Sequence, residues 1–177
     1  MTFATTLNGA APAPARTPRL LGLYLLLILI AAIEAFDGLS HVPTLFGDMS
    51  EIPGPGIGGF LIKAHIATHL PLALAALVLA STGRLRYAIV ALGAVVAMTW
   101  LNYMPSVVLH GLEFNNGFVA LQTTAQIIAF PLMAACAIAL AARGERLALA
   151  AALVSIPTLF NVLGVIAFAV SVSLHGF

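Results

Sequence analysis

Charge is the scarcest commodity in this sequence. Only 7% of its 177 residues are charged, whereas soluble domains carry about 25%. With 62% hydrophobic residues, the chain has too little polar surface to cover a water-soluble fold, which places it among membrane proteins. A net charge of +1 supplies neither a basic stripe for nucleic acid nor an acidic tail. The lone cysteine, Cys136, excludes an internal disulfide and lies in an apolar run, where it serves as a small packing residue. Nucleophilic catalysis lacks its setting too, because neither Ser40 nor Ser106 lies in a Gly-x-Ser-x-Gly elbow. The glycine run from Gly54 to Gly59 is not a phosphate loop, since no Lys-Ser/Thr follows it.

What the chain does have is long apolar runs. A membrane span needs about 20 mostly apolar residues, and that rule predicts five: 20–41, 60–81, 87–109, 118–141 and 147–172. The expected fold is therefore all-α, a polytopic bundle of five transmembrane helices. Residues 1–18, rich in Ala, Pro and Thr, read as a disordered tail, and 19–177 as the transmembrane domain. Arg16 and Arg19 ahead of an apolar run resemble a signal peptide. The long leader and the poor cleavage site, with Ala only at Ala35, favour an uncleaved anchor helix. The connections are short except for 42–59, where Pro43, Pro53, Pro55 and several glycines predict an irregular loop lying over one end of the bundle.

Lys and Arg in short loops orient such bundles. Arg16 and Arg19, Arg84 and Arg86, and Arg143 and Arg146 all fall at one end, with only Lys63 near the other. The N-terminus is thus expected in the cytoplasm and the C-terminus outside, in the cell's inner (plasma) membrane.

On that topology the polar residues are one-sided. His65 and His69, four apart, share a helix face on the outer half of the second span, at 1.5 Å per residue. Glu34, Asp37 and His41 stand at i, i+3 and i+7 on one face of the first span. His110 and Glu113 follow the third span at the same end, with Asp48 and Glu51 in the long loop. The other halves of the spans contain almost nothing polar. Charged groups inside a bilayer cost about 2.5–3.5 kcal/mol each on insertion scales, so such a cluster faces the bundle interior and pairs or binds there.

Three functional readings follow. The first is a transition-metal site (Fe, Cu, Zn or Mn), with ligands from His65, His69, His41, Asp37, Glu34 and Glu113. The His-x-x-x-His spacing matches a zinc-protease helix, but Ile66 replaces the catalytic Glu, so a protease is excluded. The second is haem b, held by His65 or His69 opposite His110 or His41. Either cofactor suits a membrane oxidoreductase or metal handling, although the sequence does not decide that the chain is an enzyme. The third is a small-solute or proton transporter, which the dry inner halves disfavour. Against all three stands an accessory subunit whose polar residues hold helices together at about 0.6 kcal/mol each. The expected partners are the bilayer and other membrane subunits or further copies of the chain. Gln122, Gln126, Asn102 and Asn161 read best as such interhelical glue, and the aromatic residues as packing and interface anchors.

Overall fold

The computed structural model describes residues 18–46, 56–112, 114 and 117–175. The N-terminal tail, Asp48, Glu51 and Glu113, and the middle of the 42–59 loop lie outside the described residues. Five helices are long and apolar enough to cross a membrane, at Leu20–Thr44, Ile57–Ser81, Leu85–His110, Val119–Arg143 and Leu147–Leu174. In helical terms these are α1 (Pro18–Ser40) with a short α2 (Val42–Phe46), α3 (Ile57–Ser81) and α4 (Leu85–His110). The fourth span begins as α5 (Gly117–Thr124), widens into a π-helical turn at Ala125–Ala129 and continues as α6 (Phe130–Arg143). The last span is α7 (Leu147–His175).

The segment expected to be irregular is partly helical. Pro43 sits in the first turn of α2, where its missing N–H costs nothing. Gly58 and Gly59 lie inside the first turn of α3. Gly58 has a packing reason to be there: a Cβ on it would stand 3.2 Å from Pro105 of α4.

Short turns make sequential spans antiparallel neighbours, and α7 returns to pack on α1, closing the ring α1–α3–α4–α6–α7. One end of the bundle carries Arg84, Arg86, Arg143 and Arg146, and the other carries the histidines. Toward the arginine end the helices pack through small residues, among them Ala76, Ala80, Ala88, Ala137 and Ala150, all fully buried around Leu27, Ile30 and Ile89. Apolar helices in lipid gain little from hydrophobic burial against each other, so close van der Waals contact between small residues holds them. Gly93 of α4 is an instance: a Cβ there would lie 2.6 Å from Cγ1 of Ile138. Polar clips complete this end. The Arg86 guanidinium donates to the Ala141 carbonyl at 2.9 Å, which also accepts the Gly144 N–H, and to the Ala142 carbonyl, so it caps the C-terminus of α6. Tyr24 Oη donates to Gly83 at 3.4 Å.

The histidine end is built differently. The buried polar groups, His65, His69, Ser155 and Thr158, gather toward it, beside buried apolar residues such as Ala35 and Ile66. Beyond Thr158, no described residue of α7 is buried. The last span is thus tightly packed for its first half and open for its second.

Candidate functional site

Three spans converge on one carboxylate. Glu34 lies on α1, His69 on α3 and Thr158 on α7. His69 Nε2 stands 3.2 Å from Glu34 Oε2 and 3.6 Å from Asp37 Oδ2. It also lies 3.2 Å from the Glu34 backbone carbonyl. The other Glu34 oxygen, Oε1, accepts a 2.5 Å hydrogen bond from the Thr158 hydroxyl. Glu34 and Asp37 reach the same imidazole because an i, i+3 pair projects from one helix face.

Gly38 makes this approach close. A Cβ at that position would stand 2.9 Å from the Leu70 Cα and 3.0 Å from the His69 ring. Any side chain there would push α1 away from α3 at the level of the cluster.

The three imidazoles of this end are mutual neighbours. The His65 and His69 ring centroids are 5.0 Å apart, and those of His41 lie 5.8 and 5.9 Å from them. His41 Nδ1 lies 3.1 Å from the Asp37 carbonyl, which can only accept, so Nδ1 is the donor there. His65 and His69 are each buried, and Nδ1 of each has no hydrogen-bond partner among the described residues. A buried unpaired polar nitrogen costs about 1–3 kcal/mol, so these two are candidates for a ligand contact.

Around His69 Nε2 every facing atom is an acceptor. A proton must hold this nitrogen to the oxygens, or a cation must take the proton's place. One ligand atom from each of Glu34, Asp37 and His69 lies within 4.8 Å of the other two. The group is graded from half-buried Glu34 to fully buried His69, with Asp37 61% exposed at its side chain.

Beside the group opens a cavity of about 430 Å3. Glu34, Asp37 and His69 form one wall; Trp100, Tyr103 and Gln126 line it from α4 and the fourth span, and Thr158 and Asn161 from α7. The π-helical turn shapes the far wall. Pro131 has no N–H to offer the Ile127 carbonyl four residues before it, and that carbonyl accepts the Trp100 indole N–H at 3.1 Å. The Gln126 amide donates to Tyr103 Oη at 3.3 Å. Such turns interrupt helices mostly at functional sites.

Of the residues singled out in the sequence, Glu34, Asp37, His41, His65 and His69 come together. His110 does not join them: it lines a separate concavity of about 180 Å3, with Nδ1 3.2 Å from the Ser106 carbonyl of its own helix. Glu113 lies outside the described residues. Gln126 turns to Tyr103 while Gln122 is exposed, so the two do not act as a pair. Thr158 and Gly38 are site residues that the sequence reading passed over. Ser155, Thr158 and Asn161, at i, i+3 and i+6 on α7, were the available signal for the first.

Comparison with protein-family models, curated proteins and solved structures finds no match. The site's own chemistry carries the functional reading.

Proposed function

We propose that this chain is an integral membrane protein that binds a divalent transition-metal ion at Glu34, Asp37 and His69. His41 and His65 supply the remaining imidazoles of the site. The observation that carries the reading is the spacing at His69 Nε2: 3.2 Å to Glu34 and 3.6 Å to Asp37. Ligand atoms about 2.1 Å from a tetrahedral ion stand roughly 3.4 Å from one another, so little movement would admit the ion. Two carboxylates with imidazole suit Fe, Mn or Zn. A bare ion fits better than haem, because the rings lie 5.0–5.9 Å apart and leave no slot for a macrocycle between two of them.

In orientation, the arginine end faces the cytoplasm of the cell's inner membrane and the site opens outward. The alanine-packed half offers no polar route across, which favours one-sided metal handling or a metal-dependent redox reaction over transport. A second reading rests on the Thr158–Glu34 bond, which ties α7 to the α1–α3 pair. In that reading His69 and Glu34 form a buried ion pair that clasps three spans of an accessory subunit.

Metal analysis of the detergent-purified protein separates the two. After equilibration with Fe(II), Mn(II) or Zn(II) and desalting, about one ion per chain is expected. His69→Ala and Glu34→Gln should each lose it, while Thr158→Val keeps most of it. A chain that retains no ion from any of the three solutions, yet is unfolded more easily by His69→Ala, is the clasp and not a metal site.

A further inference from the structure

The ion site occupies only one wall of the 430 Å3 cavity, a volume in the range of small-molecule pockets. The rest of its lining has a definite pattern. Polar groups reach it from two sets of elements, the carboxylates and His69 from α1 and α3 and the Tyr103–Gln126 pair from α4 and the fourth span. Between them the walls are apolar, with Val95, Val96, Phe130 and Val162. Trp100, fixed by its bond to Ile127, adds a rigid aromatic surface.

The cavity reaches the surface at exposed side chains of α1 and α7. The two helices meet at the Glu34–Thr158 bond. Past that point Phe36 is 79% exposed, and Val165 and Ile166, which line the cavity from α7, are 68% and 53% exposed. These are large apolar side chains on spans, so the opening faces lipid tails.

We propose that the cavity binds the ring of a membrane-dissolved quinone or quinol, with its tail lying along the exposed half of α7. A para-dioxygenated ring presents two hydrogen-bonding oxygens on a flat apolar body, which suits two polar groups carried on different helices with apolar residues beside them, and an aromatic face to Trp100. The volume holds a ring but not the body of a two-chain lipid. The inference depends on the chain lying in a membrane and does not depend on the metal ion.

The chain contains one tryptophan, and it lines the cavity, so its fluorescence reports occupancy. Decylubiquinone titrated into the purified protein should quench Trp100 emission saturably. Val162→Phe, which fills the cavity, and Gln126→Leu, which removes a donor, should each weaken the apparent affinity about tenfold, the equivalent of 1.4 kcal/mol. Decanol, with the same tail and no ring, should not compete. Linear quenching that neither variant alters overturns the proposal, and so does equal competition by decanol. Metal content measured on the same samples keeps the two readings apart. Bound metal without saturable quenching removes the quinone site alone, and saturable quenching of a chain that retains no ion after equilibration with Fe(II), Mn(II) or Zn(II) removes the metal site alone.

Discussion

At the residue scale, Glu34 and Asp37 look alike in sequence and differ in what surrounds them. Glu34 is half-buried and serves His69 with one oxygen and Thr158 with the other. Asp37 is 61% exposed at its side chain and 3.6 Å from His69. Removing a partner from a buried hydrogen-bonding group costs about 1–3 kcal/mol. Glu34→Ala in the metal-free protein should therefore lower the detergent unfolding temperature distinctly, whereas Asp37→Ala changes it little. Thermal unfolding of both variants checks the difference, and equal losses would mean that Glu34 is not the hub of the cluster. The sequence made the acidic face of α1 legible through i, i+3, i+7 spacing, and the two histidines through i, i+4. It could not rank the carboxylates, because their burial is decided by α7, a partner 124 positions away at Thr158.

At the scale of the elements, close helix approach sets the site as much as its ligands do. Gly38 permits α1 to lie against the Leu70 backbone of α3, and backbone cannot rotate aside as a side chain can. Gly38→Ala should separate the carboxylates from His69 and weaken metal retention several-fold, although no ligand is lost. Gly22→Ala on the same helix, with nothing within 4 Å of the new Cβ, should leave retention unchanged. Equal metal content in the two variants would show that α1 adjusts without moving its carboxylates. The five spans were readable from hydropathy because length and apolarity are local properties of the chain. The π-helical turn was only partly readable: Pro131 just after Ala-Gln-Ile-Ile-Ala marks a break in the hydrogen-bond ladder, but not that the winding widens, nor that Trp100 and Tyr103 of α4 meet it there. The helices at Val42–Phe46 and Ile57–Gly59 escaped for a related reason, since Pro and Gly are tolerated in a first turn and break helices only farther in.

At the scale of the whole molecule, the bundle has two unlike halves. The arginine end is closed by alanine packing and by Arg86 capping α6, while the histidine end holds the polar cluster and the cavity. A site open to one side makes sense only relative to a membrane with two different faces, so orientation is the property on which the functional reading turns. The positive-inside bias is the ground for proposing that Arg84, Arg86, Arg143 and Arg146 face the cytoplasm. With Cys136→Ser as background, cysteines introduced at Ser40, near the histidine end of α1, and at Thr82, which follows α3, test that directly. An impermeant maleimide applied to intact cells should label Ser40→Cys at once and Thr82→Cys only after the membrane is opened. The reverse pattern would turn the cavity toward the cytoplasm, where its ion would be drawn from the cell's own metal pool. Labelling at Ser40 from outside would make the external or periplasmic solution the source of any ion that the proposed site binds.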